Sequence, residues 1–235
     1  MRRSTLASIL VIAVLIPATL FLGSKLPGRW YYLTSTLIVI ETMLPFFFAF
    51  ETRKPQAREL VTIAVMAAIA AASRVAFAFI PHFKPIIPVI MMAGIAFGAQ
   101  TGFLTGTIAA FASNFFFGQG PWTPWQMMAY GLAGFLAGLL LHKKSEYRTP
   151  FYLAAFGFLC VALVIGPLLD SCTLFTTMTN ITSQTVILVF AQGIPINLLH
   201  GLSCAVVLFV CSKAFLRKLD RLQTKYAMMQ AIESE

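Results

Sequence analysis

Apolar residues run through this chain in long unbroken stretches, unlike the alternation of a half-buried strand or the one-sided stripe of a soluble helix. Eight stretches stand out, at residues 6–22, 30–50, 60–79, 86–97, 103–117, 125–141, 151–169 and 186–211. Most are long enough to cross a hydrocarbon layer of about 30 Å as helices. In lipid the backbone must pair its own polar groups, which leaves helices or closed barrels, and unbroken runs exclude the barrel. The stretch from 86 to 117 is ambiguous. As one helix it would be about 48 Å long, and Gly98-Ala-Gln-Thr-Gly102 near its centre supplies a turn. Two short helices fit better. The predicted fold class is an all-α polytopic membrane helical bundle.

Composition supports lipid as the solvent. Of 235 residues, 59% are hydrophobic and 11% charged, and the mean hydropathy is +0.84. One soluble core of this size cannot bury that much apolar surface. The net charge of +9 does not point to nucleic acid, because the charges sit in short runs between apolar stretches. They act instead as topology signals. Eight spans put both termini in the cytoplasm. The inner segments then hold Arg2, Arg3, Arg53, Lys54, Arg58, Lys143, Lys144, Arg148, Lys213, Arg217, Lys218, Arg221 and Lys225, and the outer loops hold only Lys25, Arg29 and Lys84. Merging 86–117 into one helix would move the 143–148 cluster outside. The first run follows Arg2 and Arg3 as a signal peptide would, but it is long for one and no clear cleavage site follows, so it reads as a retained helix.

A polar linker at 51–58 separates two N-terminal transmembrane helices (1–50) from a six-helix core (59–214), which a cytoplasmic tail (215–235) follows. Phe215, Leu216, Leu219 and Leu222 give the tail one apolar stripe. Residues 213–226 read as a cytoplasmic helical extension that lies on the membrane surface, with a frayed polar tail as the alternative. Cys160, Cys172, Cys204 and Cys211 show no metal-ligand spacing and read as small packing residues, with Cys172 near the outer mouth.

Ala64, Ala68 and Ala72 fall four residues apart on one face of the third helix, beside Ala67 and Ala71. Small-residue faces let helix backbones approach closely in lipid. The stripe serves either packing inside this bundle or docking of another membrane subunit. Gly94, Gly98, Gly102 and Gly106 repeat the same spacing and read as close packing of two short helices.

The outer loops carry the candidate chemistry. The segment 114–126 packs aromatic rings, amides, prolines and glycines together. Rings supply stacking area and amides orient a ligand; alternatively Trp122 and Trp125 form an interfacial belt. Arg74, near the outer end of helix three, needs a partner or water, and Asp170 at similar depth is one candidate. Pro195 and Asn197 break the apolar run of helix eight; His200, deeper, reads as a helix-to-helix hydrogen bonder, and Glu41 is alone in helix two. The candidate substrate-binding set is Arg74, His82, Lys84, Asn114, Phe117, Gln119, Trp122, Trp125, Gln126, Tyr130, Asp170 and Asn197. No catalytic or metal-ligating set is predicted. There is no P-loop, zinc-protease motif or nucleophile elbow, and no inverted repeat.

These features together resemble the substrate-binding S components of energy-coupling factor (ECF) vitamin transporters. The likeness rests on Ala64, Ala68 and Ala72, the glycine-rich short helices and the Trp, Asn and Gln of the outer loops, and covers about residues 59–214. The two helices before Glu51 depart from the six-helix pattern. The resemblance implies an S-component-like core that binds a vitamin or related micronutrient at the outer face of a bacterial plasma membrane. It implies docking through the alanine face on a transmembrane coupling protein with two cytoplasmic ATPase subunits, which use the ATP; this chain binds no cofactor and is no enzyme. It also implies that the S component topples in the membrane to deliver its ligand. The aromatic outer face suits a large or flat molecule, with cobalamin the leading expectation and riboflavin, folate or a queuosine precursor the rivals. An intramembrane lipid enzyme and a ligand-free structural subunit are the competing classes.

Overall fold

The computed structural model describes residues 3–25, 30–52, 55–142, 144–178 and 180–225. Among them the regular elements are all helical. Arg2, Arg29, Arg53, Lys54 and Lys143 of the charge pattern lie outside the described residues, as does the tail beyond Lys225.

Among the described residues eight long helical segments follow the predicted order, with one short 3-10 turn at Ser145–Tyr147. α1 covers 3–25, α2 Tyr31–Glu51, α3 Ala57–Ala76, α4 Ile86–Phe97, α5 Ala99–Phe117, α6 Thr123–Leu141, α7 Pro150–Thr177 and α8 Ser183–Lys225. Six of them, all but α4 and α5, are long and apolar enough to cross a membrane. α4 has 12 residues, about 18 Å of helix, and cannot span alone. α5 has the length, but its threonines, Ser113 and Asn114 dilute its apolarity. Large hydrophobic side chains on the outside of α1, α3, α7 and α8 remain exposed, as lipid-facing surfaces require.

α1 and α7 each contain a π-helical turn, at Val11–Leu15 and Val161–Ile165. Each lies just before a proline, Pro17 or Pro167. A proline has no N–H to give and its ring crowds the carbonyl four residues back, so the widened turn relieves both problems.

α4 is the axis of the bundle: all 12 of its residues are buried, as expected for a helix apolar all round. Glycines explain how its neighbours come so close. A Cβ on Gly94 of α4 or Gly102 of α5 would strike the Gly134 carbonyl of α6, and one on Gly106 would strike the Tyr130 carbonyl. Gly98 joins α4 to α5 at φ 95°, open to glycine and strained for other residues. The predicted division at this point is therefore present, and the glycine ladder packs α4 and α5 against α6.

The N-terminal pair docks on this core. Phe46 of α2 stacks on Phe103 of α5 at 4.0 Å and meets Phe135 of α6 edge-on at 5.1 Å. Glu41 is not alone, since Thr19 Oγ1 of α1 donates to its Oε1 at 2.6 Å.

Two helices run further than the hydropathy implied. α7 continues from 169 to Thr177, and α8 continues without a break to Lys225. The part of α8 beyond Cys211 neither frays nor turns onto the membrane surface, because Leu216 and Leu219 are buried in the main core. Arg148 fastens it: Nη1 pairs with Asp220 at 3.2 Å, while Nη2 donates to the carbonyls of His142 at 2.6 Å and Ile95 at 3.1 Å. Gln223 Nε2 donates to Ala96 O at 3.0 Å. The last carbonyls of α4, which lack helical partners, are satisfied this way.

Candidate functional site

At the opposite end, where α3 meets the 77–85 loop and α5 meets α6, the polar side chains converge. Arg74 occupies the last turn of α3 and is only 7% exposed. Its Nη1 donates to Ser113 Oγ at 2.6 Å and to Asn114 Oδ1 at 2.9 Å, and its guanidinium carbon lies 4.4 Å from the Phe117 ring centre. Asn114 passes the network on. Its Nδ2 donates to Gln126 Oε1 at 2.8 Å and to Thr123 Oγ1 at 3.2 Å. Thr123 in turn donates to Gln119 Oε1 at 2.9 Å and accepts from the Gly120 N–H. The sharp loop between α5 and α6 begins at Gly118, φ 95°, and this hydroxyl closes it.

A second group lies beside the first. His82 sits at φ 59° in the α3–α4 loop, and its ring centre is 5.4 Å from that of His200 on α8. The Lys84 N–H donates to Ser203 Oγ at 3.1 Å. Burial within the loop, and then the nearby Arg74 charge, pull the Lys84 ammonium below the usual lysine range. The Lys84–Ser203 bond also sets depth. Ser203 lies about 30 Å along α8 from Ser183, so the first half of α8 rises well above the start of α4. The N terminus of α4 and the 77–85 loop therefore lie beside the middle of α8 at this end.

The remaining candidates divide. Asp170 does not reach Arg74; its Oδ2 accepts from Asn197 Nδ2 at 2.6 Å. Gly193 gives Asp170 its room on α8, since a Cβ there would strike the carboxylate. This pair lines a groove of about 470 Å³ between α7 and α8, with Leu163, Phe190 and Ile194. Trp125 is buried, stacks on Phe175 at 5.9 Å and shares a small core with Val39 and Cys172. Tyr130 is buried in the main core. Trp122 is 42% exposed, with its Nε1 donating to Gly118 O at 3.4 Å.

Sequence reasoning missed Ser113, Thr123 and Ser203 as members of these networks. It read His200 as a helix-to-helix hydrogen bonder; its buried Nε2 has no partner, and its neighbour is the His82 ring. Among the described residues no three His, Cys, Asp or Glu side chains group as a metal site.

A family model described as ECF-type riboflavin transporter, S component, matches residues 54–217. The chain belongs to this family. No curated protein and no solved structure matches it. The matched region runs from the linker before α3 through most of α8 and omits α1 and α2, so the polar networks above all lie inside the S-component region. An S component is a transporter subunit rather than an enzyme. On its first core helix, Ala64, Ala68 and Ala72 are exposed while Ala67, Ala70 and Ala71 are buried. The two small-residue rows are neighbours on the helix, one turned into the bundle and one outward.

Proposed function

We propose that this S component captures a flat heteroaromatic vitamin of flavin type at the polar end of the bundle that holds Arg74, Asn114, Gln126, His82 and Lys84, on the outer side of a bacterial plasma membrane. Both termini then face the cytoplasm. The observation that carries this reading is the buried Arg74–Asn114–Gln126 network, which spends polar side chains of three helices at one end of the bundle within the matched region. Polar groups buried at a membrane protein's end and held in fixed geometry serve ligands well. The riboflavin description of the family favours a flavin-sized ring. Cobalamin draws less support, because Trp125 and Tyr130, two of the rings that suggested a larger ligand, are taken up in packing. Of the four candidate rings, Phe117 and Trp122 remain exposed.

Delivery uses the outward alanine row of α3 as the docking face for a transmembrane coupling protein, which two cytoplasmic ATPases drive with ATP. The support is its exposure together with its flatness, since methyl side chains let a partner backbone approach closely. Ala64→Trp and Ala68→Trp test this in proteoliposomes holding the full transporter. Uptake is lost in both variants while ligand binding by the isolated subunit is unchanged. Loss of binding and uptake together, or full uptake in both, contradicts the docking role.

A further inference from the structure

The same end of the bundle gathers cationic and imidazole groups, with no acid paired to them among the described residues. Arg74 is 7% exposed, and both acceptors of its Nη1 are neutral. Its Nε is sealed from solvent with no acceptor. Among the described residues no carboxylate pairs with Arg74, and the Lys84 ammonium has no side-chain or backbone partner. The buried Nε2 of His200 is likewise unpartnered, beside His82. Asp170, the acid of the adjoining groove, is bonded to Asn197. A buried guanidinium with no counter-charge is costly, and a protein commonly keeps one where a bound group supplies the missing charge.

We infer that the captured molecule carries an acid group, a carboxylate or a phosphate, which seats between Arg74 and Lys84 with His200 Nε2 as a third donor. This rests on the capture reading above and narrows it. Riboflavin itself is uncharged at neutral pH, so the inference selects an acid-bearing relative of that size.

The test uses the full chain in nanodiscs of neutral lipid and compounds in neutral and acid form. Riboflavin is set against riboflavin 5′-phosphate, pyridoxine against pyridoxine 5′-phosphate, and thiamine against thiamine phosphate, with folate as the carboxylate arm and cobalamin as the large arm. Thermal stabilisation ranks the compounds and titration gives their affinities. The best ligand carries an acid group and binds at least about tenfold tighter than its neutral counterpart. Arg74→Gln and Lys84→Ala each weaken the acid form about tenfold or more, and weaken it more than they weaken the neutral form. Lys84 lies in the 77–85 loop and not within a helix, so its variant carries the test if Arg74→Gln does not fold. A neutral compound that binds as tightly as its acid form, and is indifferent to Lys84→Ala, overturns the inference and leaves capture standing. No stabilisation by any compound removes capture and the inference together. The phosphate and folate arms tell which acid is taken.

Discussion

Asn114 is the residue on which the outer network turns, and its replacement has a magnitude that follows from the geometry. Asn114→Ala removes three hydrogen bonds at once, those from Arg74 and those to Gln126 and Thr123. A hydrogen bond to a charged group is worth about 1.5–3 kcal/mol and a neutral one about 1 kcal/mol. Gln126 is half-buried and Thr123 keeps Gln119, so part of the neutral loss is recovered. Arg74 is buried and keeps only Ser113. The net destabilisation is about 2–3 kcal/mol. Asn114→Asp is the informative partner. It places a carboxylate at the 2.9 Å position facing Arg74 Nη1, and Gln126 can turn its amide to donate in place of accepting. The aspartate variant therefore recovers most of the stability that alanine loses, while its charge repels an acid-bearing ligand. Reversible unfolding in mixed micelles measures the first effect and titration of the best ligand the second. An aspartate variant as unstable as the alanine one would refute the argument that Arg74 lacks a counter-charge.

Gly134→Ala sets a Cβ against the Gly102 carbonyl and Ile90. Backbone cannot step aside, so the α5–α6 packing opens at a cost of about 1–3 kcal/mol. Gly118→Ala has open space but a φ of 95°, and loses about 1 kcal/mol from backbone strain alone. The same unfolding assay should rank them in that order, and equal losses would count against steric packing. Arg148→Ala frees the end of α8 from Asp220 and leaves the Ile95 carbonyl without that donor. Amide exchange should rise selectively over 213–225, and unchanged protection there would show that Leu216 and Leu219 hold the extension unaided.

Much of the fold was legible because lipid makes hydropathy decisive. The 86–97 run is α4 to the residue, since Pro85 and Gly98 bound an apolar stretch that nothing else interrupts. The helical extension of the tail was legible, whereas the end of α7 and the contacts that hold the end of α8 were not. Past the membrane their lengths are set by contacts between distant parts of the chain, such as Arg148 with Asp220 and Gln223 with Ala96. Within the site, residue type marked Arg74, Asn114 and Gln126 as polar groups awaiting partners, but pairing depends on which helices touch. Asp170 looked available to Arg74 by depth alone, and Gly193, which makes room for it beside Asn197, was not recognised as a signal. Trp125 looked like a ligand platform because no single sequence reveals that Phe175 and Val39 enclose it. The alanine rows of α3 were ambiguous for the same reason, and burial separates them.

A small molecule held at this end of the bundle should survive purification with the protein. Mass spectrometry of compounds extracted from the full-length protein, purified from cells grown in vitamin-rich medium, tests it directly. One heteroaromatic vitamin-type compound is expected at close to one per chain, reduced in Asn114→Ala. Extracts with no compound above the level seen in an unrelated membrane protein of similar size would contradict it.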